Sequence, residues 1–225
     1  MKLFQTVVDS GDGVQSMRVK VTLASGAAVL GLGAMLAVPA VAAELNGTSG
    51  ADRLEGTPRA DRIDARAGDD RAWSFRGPDS VDGGRGHDVL ELGLGDDHGD
   101  GGRGSDIVFG GPGDDEISGG AGRAHSYLKG GPGNDDLWHD GDTADLFGGA
   151  GADSIHTGHG GDFVSAGPGN DFISTAFTGE RDPDARDVIR CGRGVDKVVY
   201  WSRRNSGPQL DERYGCERVV YAPGG

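Results

Sequence analysis

Between Gly83 and Ser118 the pattern of apolar and polar positions repeats every nine residues. In register the four segments read GGRGHDVLE, LGLGDDHGD, GGRGSDIVF and GGPGDDEIS. Position eight is apolar in three of them, at Leu90, Val108 and Ile117. Glycine holds positions one, two and four with a single miss at Leu92, and position six is always aspartate: Asp88, Asp97, Asp106 and Asp115. A helix would bring residues three and four apart onto one face, so a strict period of nine excludes it. The pattern predicts a glycine-rich turn of six residues followed by a strand of three, with only the eighth side chain facing a core. Glycine suits such turns because it accepts positive φ angles and close backbone approach.

The register extends both ways. Windows starting at residues 47, 56, 65 and 74 carry Asp52, Asp61, Asp70 and Asp79 at position six, with degraded glycines and the small Ala72 at one position eight. These windows read as an N-terminal cap with weaker metal sites, since the terminal repeats of a solenoid are commonly atypical. After Ser118 the register slips: the window from Gly119 to Lys129 has eleven residues, with Ser126 in the place of aspartate. GGPGNDDLW then restores the pattern with Asp135, HDGDTADLF has Ala144 at position six, and three further windows carry Asp153, Asp162 and Asp171, reaching Ser174.

This array resembles the calcium-binding nonapeptide repeat G-G-x-G-x-D-x-U-x of RTX, or haemolysin-type, proteins, where U is a large apolar residue. The resemblance implies an all-β parallel β-roll, a right-handed β-solenoid in which two nonapeptides complete one turn and calcium ions lie in the Gly/Asp turns. Backbone carbonyls and aspartates of two stacked turns would surround each ion, a ligand set that suits a hard cation seeking six to eight oxygens. The implied metal residues are Asp79, Asp88, Asp97, Asp106, Asp115, Asp135, Asp153, Asp162 and Asp171. The accompanying turn glycines are Gly84, Gly86, Gly93, Gly95, Gly102, Gly104, Gly111, Gly113, Gly131, Gly133, Gly149, Gly151, Gly167 and Gly169. Stacking of alternate windows puts Asp79, Asp97, Asp115, Asp135, Asp153 and Asp171 in one unbroken row. The opposite row loses its aspartates at Ser126 and Ala144, provided the two extra residues near Arg123 bulge out without changing sides.

Composition sharpens this picture. The chain of 225 residues has 44 glycines and only 35% hydrophobic residues, too few to fill a globular core. Its 36 acidic against 22 basic residues give a net charge of −14, which repels nucleic acid and attracts divalent cations. The roll is therefore expected to need calcium to fold, because stacked carboxylates repel until a cation binds.

Arg18 and Lys20 precede an apolar stretch from Val21 to Val38 and the small residues Val41-Ala42-Ala43, the order of a secretory signal peptide. The rival reading is a membrane anchor, but the Gly and Ala content makes a weak span. Asp9 and Asp12 fit a leader poorly, which points to Met17 as the start. The expected division is a leader over 1–43, a roll over 44–174, and a polar insertion and cap over 175–225. The mature chain is expected to be secreted, without a membrane span, with a cell-surface or extracellular polysaccharide as a conceivable partner.

Cys191 and Cys216 are the only cysteines. In a secreted chain they are expected to form a disulfide closing the C-terminal cap. A metal or redox pair is the alternative, with no CxxC or nearby Cys/His cluster to support it. No GxSxG, HExxH or GxxxxGK[ST] motif occurs, and no catalytic residue is assigned. The alternative to a structural or adhesion module is an extracellular enzyme or enzyme accessory. His139, His156 and His159 are conceivable zinc ligands, with solvated surface residues as the plainer reading. In pairs such as Asp96/Asp97 and Asp114/Asp115 the second acid is the expected ligand and the first is expected to be solvated. Trp73, Trp138 and Trp201 are read as edge and cap packing rather than a sugar-stacking face.

Overall fold

The computed structural model describes residues 42–120, 125–175, 187–202 and 212–223. The leader lies outside them, apart from Ala42 and Ala43. Nine strands of three residues come first: β1 (Glu44–Asn46), β2 (Arg53–Glu55), β3 (Arg62–Asp64), β4 (Arg71–Trp73), β5 (Ser80–Asp82), β6 (Val89–Glu91), β7 (His98–Asp100), β8 (Ile107–Phe109) and β9 (Glu116–Ser118). Longer ones follow: β10 (His125–Pro132), β11 (Asp136–His139), β12 (Thr143–Ala150), β13 (Ser154–Thr157), β14 (Phe163–Pro168), β15 (Phe172–Thr175), β16 (Val188–Arg193), β17 (Lys197–Ser202), β18 (Glu212–Tyr214) and β19 (Arg218–Pro223). No helix of the described residues is long and apolar enough to cross a membrane.

The odd-numbered strands form one parallel sheet in sequence order and the even-numbered strands form the other. Each turn of chain therefore contributes one strand to each sheet, which makes the molecule a flattened parallel β-solenoid. Through the regular windows the partners are 18 residues apart, as in Val89↔Ile107 and His98↔Glu116. Across the slip the spacing grows to 20, at Tyr127↔Ile107 and Asp136↔Glu116, and the strands keep their sides. The longer window thus leaves the alternation of strands between the two sheets unchanged.

The core is made mainly of the eighth positions. Leu54, Ile63, Val81, Leu90, Val108, Ile117, Leu128, Leu137, Leu146, Ile155, Val164 and Ile173 are all buried between the two sheets. Burying one such side chain contributes about 1.5–3 kcal/mol. The apparent defect at Gly99 is repaired by the other irregularity of its window. Leu92, fully buried, turns inward from position one, and a Cβ on Gly99 would lie 2.8 Å from its Cδ1. The leucine fills the space that the glycine leaves.

Neither sheet stops at Ser174. Partner spacing lengthens to 25 residues at Phe163↔Val188 and Phe172↔Lys197, and pairing then continues to β18 and β19. The expected disulfide is present: buried Cys191 on β16 is bonded to Cys216, between β18 and β19, so the last rungs are tied together. Closing 25 residues in this way contributes roughly 3 kcal/mol in the chain-entropy model.

On the outer faces, the even sheet carries a ladder of rings, Phe109, Tyr127, Phe147 and Phe163, with centroids 5.8, 5.0 and 5.6 Å apart. Trp73 lies on this face beneath the Arg53 guanidinium, 4.4 Å from the ring centroid, and Trp138 lies on the outer side of β11. Trp73 thus packs against the end strand β2 within the N-terminal cap, as expected, whereas Trp138 lies on the central strand β11 and is not edge packing. The Trp201 side chain falls outside the described residues.

Candidate metal-binding turns

Each sixth-position aspartate lies in a turn just before its strand, and its side chain is buried in the coil. There one carboxylate oxygen does structural work. Asp97 Oδ1 accepts from the backbone N–H of Asp79 at 2.8 Å, and Asp115 Oδ1 from that of Asp97 at 3.0 Å. The ladder continues through Asp135, Asp153, Asp171 and Asp196. On the opposite side, Asp70, Asp88 and Asp106 serve the N–H groups of Asp52, Asp70 and Asp88 in the same way. Each aspartate thus joins its own turn to the one before it.

The second oxygen has no such use. Oδ2 of Asp70, Asp79, Asp88, Asp97, Asp106, Asp115, Asp135, Asp153, Asp162, Asp171 and Asp196 is buried and makes no hydrogen bond. A buried acceptor without a partner is costly, and a carboxylate more so. The electrostatics register that cost. Burial is the leading cause in every case and raises Asp79, Asp97, Asp106, Asp135, Asp153 and Asp171 to about 6. Asp88 and Asp115 rise to about 7, and Asp162 rises to about 8 with help from the charge of Asp187.

The glycines set how closely the turns stack. Gly86 has φ of 139°, and Gly104 above it has 146°. A Cβ on Gly104 would run into the carbonyl oxygen of Gly86, so the turn backbones lie too close for any side chain there. Glycine packing therefore brings carbonyl oxygens and orphaned carboxylate oxygens into the same turns. Among the described residues no three His, Cys, Asp or Glu side chains gather as a metal cluster. Any ion held here must draw on backbone oxygens as well, as calcium does and zinc does not.

The first two windows are built differently. Position two is Thr48 in one and Thr57 in the other. Thr48 donates to Asp52 Oδ2 from its hydroxyl at 2.8 Å and from its backbone N–H. Thr57 likewise donates to Asp61, from its hydroxyl to Oδ1 at 2.9 Å and from its backbone N–H to Oδ2, while Ala43 N–H also donates to Oδ1. In these turns a threonine does part of what a cation would do elsewhere.

The two rows run as the resemblance to the RTX repeat implied. Asp79, Asp97, Asp115, Asp135, Asp153 and Asp171 follow one another without a gap. In the other row Asp106 N–H meets only Ser126 Oγ, at 3.3 Å, before Asp162 resumes by accepting from Ala144 N–H at 2.7 Å. Three further members extend the ladder beyond Asp171, of which Asp196 stands in the repeat-like window CGRGVDKVV while Asp187 and Glu217 were not foreseen. Asp187, inside the segment read as an insertion, accepts from Asp162 N–H at 3.0 Å. Asp196 continues the other row, and Glu217 Oε2 accepts from Asp196 N–H at 2.9 Å. The signal was available: Asp187, Asp196 and Glu217 each stand two residues before the apolar Ile189, Val198 and Val219.

The fifth position also departs from expectation. The first acid of each pair is not merely solvated. Asp96 Oδ1 accepts from Asp114 N–H at 3.0 Å, and Asp114 Oδ1 from Asn134 N–H at 2.7 Å, an outer ladder parallel to the inner one. The three candidate zinc histidines have different surroundings. His139 is buried inside the coil, which lowers its pKa; His156 sits on an outer face beside Ser154 Oγ at 3.0 Å; His159 is exposed in a turn.

Strand order, stacked Gly/Asp turns and inward carboxylates define a parallel β-roll with oxygen-lined turns. The profile of the RTX calcium-binding nonapeptide repeat matches four times, over residues 46–74, 76–99, 93–123 and 140–173. The chain belongs to this RTX family of calcium-binding repeat proteins. No curated protein matches it in sequence.

Proposed function

We propose that this chain is a secreted, non-enzymatic calcium-binding module that becomes rigid on meeting extracellular calcium and serves as a structural or adhesive element. The observation that carries the reading is the series of buried Oδ2 atoms without hydrogen-bond partners, from Asp70 to Asp196. Their chemistry fits a hard divalent cation, which would neutralise the stacked carboxylates and accept oxygens from the glycine turns. The residues that would hold the ions are Asp79, Asp97, Asp115, Asp135, Asp153 and Asp171 on one side and Asp70, Asp88, Asp106 and Asp162 on the other. Binding and folding are then one event, since the site exists only when the turns are stacked.

Export is the natural setting for such coupling. The leader-like segment before Glu44 and the Cys191–Cys216 disulfide both suit an oxidising, calcium-rich exterior. The roll over 44–174 would carry most of the ions, and the rungs from β16 to β19 would act as its tied-down end. The test is a calcium titration of the metal-free protein followed by circular dichroism. The signal is expected to gain β character with calcium and lose it with chelator at neutral pH. A spectrum indifferent to both would sink the reading.

A further inference from the structure

The break in the second row is more than two missing aspartates. His139 occupies position one of its window, where the windows from residue 47 to residue 166 otherwise have Gly, Ala, Ser or Thr except at Leu92. Its imidazole is buried inside the coil, 1% exposed. A Cβ built on Gly119, one turn earlier on the same side, would meet His139 Nδ1 first, at 2.6 Å. At Gly83, the same position of an intact window, that Cβ would meet Asp88 Oδ2 at 2.8 Å. At Gly110, Gly130 and Gly148 the nearest atom is again the Oδ2 of the window's own aspartate. The ring nitrogen thus lies against Gly119 as a carboxylate oxygen lies against the other glycines.

Ser126 and Ala144 make room for it, because neither has a carboxylate. The Leu92/Gly99 pair is a second instance in this chain of a bulky first-position side chain filling a space vacated by a smaller residue. An imidazole is a poor ligand for a hard cation that takes oxygen. We infer that His139 plugs the turns at Ser126 and Ala144, excluding calcium there and dividing the second row into two separate ion clusters, one ending at Asp106 and one beginning at Asp162. The inference rests on the calcium reading above.

The test counts calcium per chain by elemental analysis at saturating calcium, alongside circular dichroism. The S126D/A144D variant is expected to hold no more calcium than the wild type. The S126D/H139G/A144D variant is expected to hold at least one ion more. A gain in S126D/A144D alone, or no gain in a folded triple variant, would overturn the inference. If S126D/A144D fails to fold in calcium while the triple variant folds and gains an ion, the exclusion is upheld. His139→Ala in the wild-type background keeps the question decidable if neither folds: the calcium count should be unchanged and the melting temperature lower. A lost ion would make His139 a ligand and refute the plug. A wild-type chain holding no calcium would show zero throughout, which is failure of the calcium reading itself.

Discussion

The turns at Asp61 and at Asp115 share one backbone plan and satisfy their carboxylates in opposite ways. Asp61 has donors on both oxygens, from Thr57 and from Ala43 N–H. Asp115 has one donor, Asp97 N–H, and a buried second oxygen with none. The difference traces to position two, threonine in one window and glycine in the other. Thr57 brings a hydroxyl to the carboxylate. Gly111 brings only backbone, packed so closely that a Cβ would strike the carbonyl oxygen of Gly93. At Asp61 both oxygens are satisfied without an ion, Oδ2 by the Thr57 backbone N–H and Oδ1 by the Thr57 hydroxyl and Ala43 N–H, whereas Asp52 keeps a buried Oδ1 without a partner, as the middle turns keep their Oδ2. The buried carboxylate oxygens that an ion would satisfy thus lie mainly in the glycine windows, which is where the proposed dependence on calcium would reside.

The broadest way to sharpen this contrast is pH. In the metal-free roll burial pushes carboxylates such as Asp79, Asp88, Asp115 and Asp162 up to about 6 to 8, above the ordinary carboxylate range that they have when unfolded. Between the two ranges the folded state binds more protons than the unfolded one. Its stability therefore falls as pH rises through 6 to 8 and is regained on acidification. Metal-free protein is expected to gain β signal in circular dichroism on going from pH 8 to pH 5. Calcium affinity measured over the same range should fall, because protons compete for the same oxygens.

A single open turn gives the next largest effect. Asp115→Ala removes a proposed ion ligand and leaves Asp97 N–H without its acceptor, a cost of about 1–3 kcal/mol before any ion is lost. The calcium midpoint for folding should rise about tenfold or more, with at least one ion fewer by elemental analysis, about 1.4 kcal/mol for each factor of ten. The corresponding change in a latched turn should behave otherwise. Thr57→Val removes the hydroxyl donor to Asp61 and should cost about 0.5–1.5 kcal/mol in denaturant unfolding, with an unchanged calcium count. A lost ion in that variant would erase the distinction between the two kinds of turn.

The smallest effect lies at the seam between them. Phe75 stands at position two with φ of 76° and is 46% exposed. Left-handed backbone costs a residue with a Cβ about 1–2 kcal/mol, part of which glycine would return as unfolded-state entropy. Phe75→Gly is expected to stabilise the calcium-loaded protein by roughly 0.5–1 kcal/mol in denaturant melts.

Much of this molecule was legible from spacing because the repeat is short and its neighbours recur at a constant interval. Asp, two residues before a buried apolar residue, located nearly every inward carboxylate. Where the reading fell short, the glycines had been lost. Asp187 and Glu217 sit in windows too degraded to show the glycine pattern, so segments that in fact continue the two sheets looked like an insertion and a cap. The fifth-position ladder through Asp96 and Asp114 was hidden for another reason, since its partners are backbone N–H groups 18 or 20 residues away that no motif marks.

The sequence by itself determined the nine-residue alternation of turn and strand, its sixth-position aspartates and the windows that lack one, while the coil with two windows per turn, and hence two rows, was what its resemblance to the RTX repeat implied. Only the tertiary structure decided what each irregularity does. Leu92 fills the space beside Gly99, His139 lies against Gly119, and Thr57 satisfies Asp61, each of them a contact across the interior or within a turn. Such contacts depend on which side chains the stacking brings together and how much volume each leaves, and linear spacing contains neither quantity.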